Sequence, residues 1–144
     1  MKILIETPTL GEEDTIIIRY HTLPTDSIDL LRAHKSNSGV LLGYKENATY
    51  KVPVVDIFYI DSVGNKTFMY CLGQVYEARE KLYEIEALDL PNFLRISKST
   101  ILNLRKIDHL KPALSGRLEA TLINGEKVII SRNYVKALKA AYGL

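Results

Sequence analysis

The chain has 144 residues, 47% hydrophobic and 25% charged, with a net charge of +2, a balance that fits a protein with a real core and excludes a disordered chain. The opening apolar run Ile3-Leu4-Ile5 is too short for a secretion signal, and no stretch approaches the ~20 apolar residues of a membrane span. Cys71 is the single cysteine, so an intrachain disulfide and a thiolate metal cluster are excluded, and the reducing cytoplasm is the expected compartment.

Taken in order, Ile3-Leu4-Ile5 and Thr15 to Tyr20 read as two strands separated by a turn region around Pro8 and Gly11. Pro24-Thr25-Asp26-Ser27 opens a short helix with Thr25 or Asp26 as its cap and Ile28, Leu30 and Leu31 as apolar positions. Lys35-Ser36-Asn37-Ser38-Gly39 is the polar stretch that looks like a linker.

From Val40 the pattern turns to strand, with short branched and aromatic runs at Val40 to Leu42, Tyr50 to Val54 and Ile57 to Ile60. Turn chemistry from Asp61 to Lys66 ends the third run, and Thr67 to Leu72 resumes as strand, with Cys71 expected to be buried in it. Gly73-Gln74 begins another turn. Ala78, Leu82, Ile85 and Leu88 then form a helical stripe, predicting a helix over about 78–88. Further strands are expected at Phe93 to Ile96, Ile101 to Leu104 and Ile107 to Leu110. Leu118 to Ile123 and Lys127 to Ile130 flank Asn124-Gly125, a strong hairpin signal. Ser131 to Tyr142 reads as a closing helix, with Ser131 as cap and Val135, Leu138 and Tyr142 on one face. The expected fold is α+β and mostly β, an elongated antiparallel sandwich of about ten short strands with two or three short helices.

Catalytic patterns are absent from the sequence. His21, His34 and His109 have no His or Cys at metal-ligand spacing, and no phosphate-binding glycine loop or nucleophile elbow occurs. Glu12-Glu13-Asp14 reads as a charged turn, and Glu77, Glu80 and Glu84 as a solvated helix face. No enzyme activity, cofactor, metal or small-molecule substrate is expected. Charge says more once divided. Residues 1–50 carry five Lys/Arg against seven Asp/Glu, residues 51–89 four against seven, and residues 90–144 ten against three, a local charge of +7. Such a basic third suits an anionic partner, although a solvated basic face is the plainer alternative.

The informative run is Phe93-Leu94-Arg95-Ile96-Ser97-Lys98-Ser99-Thr100-Ile101-Leu102-Asn103-Leu104, followed at a distance by Asn124-Gly125 and by Ile130-Ser131-Arg132-Asn133-Tyr134-Val135. Upstream stand Asp56-Ile57-Phe58-Tyr59-Ile60-Asp61-Ser62-Val63-Gly64-Asn65 and Lys81-Leu82-Tyr83-Glu84-Ile85-Glu86. These five blocks, in this order, resemble the LytTR family of DNA-binding domains over about residues 43–142.

The resemblance implies a β scaffold that lays loops, rather than a recognition helix, into successive major grooves. It places Asn65 and Lys66 in a first contact loop, Ser97 and Lys98 in a second, and Arg132 and Asn133 in a third. Those residue types suit the task, since Arg and Lys pair with guanine edges and phosphates and Asn with adenine. Arg95 and Asn103 are family hallmarks read here as serving the fold. Ser97 stands where His is commoner and Thr67 where an aromatic is, so no sequence preference carries over.

Residues 1–42 are read as a β-β-α appendage that supports a homodimer, and residues 43–144 as the DNA-binding domain. The resemblance is to the family's stand-alone branch, in which no phospho-receiver precedes the domain and a small membrane protein is a possible regulator. The expected function is sequence-specific binding of double-stranded DNA to regulate transcription. A protein-interaction module on the same scaffold is the alternative.

Overall fold

The computed structural model describes residues 39–144; the expected strands at Ile3 to Ile5 and Thr15 to Tyr20, and the helix opening at Pro24, lie outside the described residues. Ten strands follow: β1 (Val40–Lys45), β2 (Ala48–Pro53), β3 (Ile57–Val63), β4 (Lys66–Cys71), β5 (Gln74–Ala78), β6 (Phe93–Arg95), β7 (Thr100–Asn103), β8 (Ile107–Pro112), β9 (Leu118–Leu122) and β10 (Lys127–Ile130). The α-helices among the described residues are α1 (Leu82–Ala87) and α2 (Val135–Tyr142). Seven strands pair in the order β2-β1-β5-β4-β3-β7-β6 and three in the order β10-β9-β8, with every pairing antiparallel. The mostly β, antiparallel two-sheet class expected from sequence is the observed one.

Turn chemistry sets the registers. Glu46 and Asn47 both take positive φ (51° and 64°) between β1 and β2, the geometry whose twist matches a two-residue hairpin. Gly64 (φ 62°) opens the β3–β4 turn and Gly125 (φ 89°) closes the β9–β10 turn. Alternation along the strands, broken in β3 by a bulge between Ile57 and Tyr59, then sorts side chains into two cores. Val52, Ile57, Ile60, Met69 and Ile101 form one core, to which α1 adds Leu82 and Ile85. Phe58, Ile96 and Leu102 face the smaller sheet and α2, meeting Leu118, Ala120, Leu122, Ile130 and Leu138.

Several expected boundaries differ. β3 runs on through Asp61, Ser62 and Val63, so its turn shrinks to Gly64-Asn65. Ala78 ends strand β5 and does not start a helix, because residues 74–78 are zipped between β4 and β1. The helix begins only at Leu82, where Glu84 Oε1 accepts the Lys81 N–H at 3.0 Å, and Leu88 falls past its end, largely exposed. The closing helix is a 3-10 turn, Arg132–Tyr134, continued by α2, and Ser131 caps it by position without a side-chain bond. Leu138 is buried on α2 as expected, whereas Tyr142 is 41% exposed.

Two polar ties lock the frame. Tyr59 stacks on Tyr70 with ring centroids 4.5 Å apart and donates its hydroxyl to Glu126 Oε2 at 2.8 Å, linking the larger sheet to the β9–β10 turn. Burial, reinforced by the Glu126 carboxylate, pushes that phenol well above its ordinary range, so it remains a donor. Asn103, 3% exposed, donates Nδ2 to the Ile57 carbonyl at 2.9 Å and accepts the Arg105 N–H on Oδ1 at 3.1 Å. Removing its amide strands one backbone acceptor and one backbone donor. Asn103→Ala is expected to lower the free energy of unfolding by about 2–4 kcal/mol in urea titrations. A loss below about 0.5 kcal/mol, the scale of an ordinary surface substitution, would show the two bonds to be dispensable.

Candidate nucleic-acid interface

Three turns meet at one end of the molecule, and backbone hydrogen bonds hold them side by side. The β3–β4 turn presents Asn65 and Lys66, both exposed, and Lys81 Nζ donates to the Asn65 carbonyl at 2.9 Å, tying the turn to the start of α1. The β6–β7 turn presents Ser97 and Lys98. It is joined to β3 by the Ser62 N–H donating to the Ser99 carbonyl at 2.8 Å and by Thr100 Oγ1 donating to Asp61 Oδ1 at 3.0 Å. The third element presents Arg132 and Asn133, and the Ser131 N–H donates to the Ile96 carbonyl at 2.8 Å. All six residues singled out from sequence therefore lie on adjoining segments.

Their roles divide. Arg95 is the former of the second turn: its Nε donates to the Ser97 carbonyl at 2.7 Å, its Nη2 donates to the Lys98 carbonyl, and its Nη1 meets Glu86 Oε2 at 2.6 Å. Such a planar fork fixes two carbonyls at once, which a lysine does not match. Ser97 Oγ accepts the Ser99 N–H at 3.2 Å, so this hydroxyl is engaged within its own turn. Lys98, held by its backbone, is exposed. Among the described residues no hydrogen bond or ion pair engages the side chains of Asn65, Lys66, Lys98, Arg132 or Asn133.

Several other cations are engaged, although Lys51, Arg105, Lys136 and Lys139 also have no side-chain partner among the described residues. Lys111 and Lys127 flank Glu119 at 3.4 and 3.8 Å, Arg79 lies 4.1 Å over the Tyr44 ring, and Lys106 lies 5.0 Å over that of Phe58. The end that gathers unengaged Lys, Arg and Asn side chains on adjoining turns is thus an edge prepared for phosphates and base edges. Sequence reasoning passed over a neighbour of this edge, the Leu114–Gly116 turn, which lies against Arg132; no motif marks it. Among the described residues no group of three His, Cys, Asp or Glu side chains is placed to hold a metal, and no helix is long and apolar enough to cross a membrane.

A two-sheet antiparallel frame that gathers basic and amide-bearing turns at one end defines a loop-presenting nucleic-acid-binding domain. The chain belongs to the family of LytTr DNA-binding domains, whose pattern it matches over residues 47–143. A sensory transduction protein LytT of Enterococcus faecalis is 34% identical over 100 residues, covering 69% of this chain and 41% of that protein. A Staphylococcus aureus protein named an uncharacterized HTH-type transcriptional regulator is 28% identical over 102 residues, covering 71% of this chain and 69% of its own length. A solved LytTr DNA-binding domain from Bacillus cereus superposes with a TM-score of 0.69 at 24% identity, over 74% of this chain and 98% of that one, a likeness of fold. This chain therefore spans well under half of the Enterococcus relative.

Cys71 sits at the far end of β4 from this edge, and it is half-buried where full burial was expected. Burial pushes its thiol up to about 11, with Asp56 adding to the rise and Lys106 opposing it. The thiolate is the reactive form, so a raised value means slower chemistry at neutral pH. Alkylation by iodoacetamide at pH 7 is expected to run on the order of a hundredfold more slowly than that of an unperturbed thiol near 8.5. The rate should climb as pH rises toward 11; a rate already at its plateau at pH 8 contradicts this environment.

Proposed function

We propose that this chain is a regulator of transcription that recognises a specific sequence in duplex DNA by presenting its turns to the major groove. The observation that carries the reading is the joining of the Asn65-Lys66, Ser97-Lys98 and Arg132-Asn133 segments through the Ser62–Ser99 and Ser131–Ile96 backbone bonds. Turns held in this way meet DNA with their backbone already ordered, and their unengaged side chains match the donors that guanine, adenine and phosphate accept from. Lys98 and Asn133 are proposed to touch bases. Arg132 and Lys66 add charge toward phosphates, Asn65 extends the first turn, and Ser97 shapes the second. The site of action is the cytoplasm.

Lys98→Ala and Asn133→Ala are each expected to weaken binding to a preferred duplex by on the order of 1–3 kcal/mol, the worth of a good base contact. Lys127→Ala, whose ammonium is shared with Glu119, should cost less. Gel-shift titrations with unrelated competitor DNA measure all three, and equal small losses would reduce the surface to general electrostatics. A salt series separates the protein-module alternative. Binding through several phosphates weakens steeply as salt rises, whereas an apolar protein interface does not.

The chain is further proposed to act as a homodimer on paired sites, with residues 1–34 making or supporting the interface. One small module grips a single site weakly, and symmetric pairing is the usual remedy. The apolar runs Ile3-Leu4-Ile5 and Ile16-Ile17-Ile18 belong to a segment too short to be stable alone. Deleting residues 1–34 is expected to lower the mass in light scattering from dimer to monomer; a soluble truncated protein of unchanged oligomeric state refutes this role.

A further inference from the structure

The connection between β8 and β9 is a tight turn that no sequence motif claims. Ser115 (φ 61°, ψ 36°) and Gly116 (φ 73°) are both left-handed, a conformation that costs a non-glycine residue free energy. The Ala113 N–H donates to the Arg117 carbonyl at 2.9 Å, and the Arg117 backbone N–H and Nε donate to the Leu114 carbonyl at 3.4 and 3.3 Å. This bonded, strained turn holds Leu114 84% exposed, the highest value for a large hydrophobic side chain among the described residues. Leu114 belongs to neither core.

The turn also touches the candidate interface. A Cβ on Gly116 would come within 3.3 Å of Arg132 Cδ and 3.4 Å of its Cγ, so bare glycine backbone forms the wall along which the Arg132 stem lies. Leu114, Arg117 and Arg132 therefore share one surface. Arg117 spends only its Nε internally, and its two Nη groups have no hydrogen-bond partner among the described residues.

We infer that Leu114–Arg117 is a fourth DNA-contacting turn, in which Leu114 packs on a thymine methyl group in the major groove and Arg117 binds a backbone phosphate. Gly116 positions Arg132 beside them. An exposed apolar tip on a turn that carries Arg117 and abuts the Arg132 stem suits this pair of groups, since the thymine methyl is the apolar feature of the major groove and phosphates border it. Residues 90–144 carry ten Lys/Arg against three Asp/Glu, which favours a polyanion over a protein partner.

The inference rests on the DNA-binding reading above, and the experiment separates the two. The full chain is first used to enrich duplexes from a random-sequence pool; if no duplex is enriched, both readings fall. With a duplex in hand, each thymine is replaced in turn by deoxyuridine, which lacks the methyl group. One replacement is expected to weaken wild-type binding several-fold while leaving Leu114→Ser unaffected, the coupling a direct contact requires. Arg117→Gln is expected to weaken binding about tenfold and to lower the salt dependence by about one released counterion. Urea midpoints of both variants should equal that of the wild type, as both side chains are exposed. A duplex bound with wild-type affinity and salt dependence by both variants overturns the inference. So does a change in oligomeric mass with DNA binding intact, which would assign the turn to a protein contact.

Discussion

Ile96 is the joint of this molecule. Its side chain is buried in the core between the two sheets, its N–H donates to the Thr100 carbonyl at 3.0 Å, and its carbonyl accepts the Ser131 N–H at 2.8 Å. One residue thus closes the β6–β7 turn and anchors the segment that leads into α2, while packing with Phe58, Leu102, Ile130 and Leu138. Apolar burial supplies the driving force and the two backbone bonds supply direction. Without that joint the Lys98 turn and the Arg132 segment would belong to separate pieces of structure.

The same economy governs the charges. An arginine inside the turn, Arg95, spends its guanidinium on two carbonyls and Glu86, so that the neighbouring Lys98 is presented on a formed backbone. Lys81 does likewise for the Asn65 turn. Elsewhere Glu119 sits between Lys111 and Lys127. Net charge counts all these cations equally, but a cation already bonded to protein must give up that partner before it can serve a phosphate. Geometry therefore brings a few side chains of a broadly basic region together, and it does so on turns whose shape is set before any ligand arrives.

The described residues present no helix-turn-helix: α1 and α2 are separated by five strands and stand in different cores. In this chain α2 serves mainly to bury Leu138 and to hold the 3-10 turn that carries Arg132 and Asn133. Binding surface and helix are adjacent without being the same element.

Apart from β5, read as a turn and the start of a helix, the strands between residues 40 and 130 were legible from the amino-acid sequence, as were the antiparallel class and the ordered blocks that mark the LytTr domain, because strand periodicity and turn chemistry are local properties. The helix start was not legible. Ala78, Leu82, Ile85 and Leu88 fit a helical stripe in one dimension, and only the pairing of β5 with β1 and β4 decides that Ala78 is strand. Nor could the sequence divide equivalent cations, since Glu119 lies eight residues from both Lys111 and Lys127 and Glu86 nine from Arg95. The six candidate residues were named one by one from the motif, on segments as far apart as Asn65 and Asn133. Their arrival at one end is a product of tertiary structure: β3 and β7 had to pair, and the core around Ile96 had to close, before hydrogen bonds too short-ranged to act along the chain could join the turns.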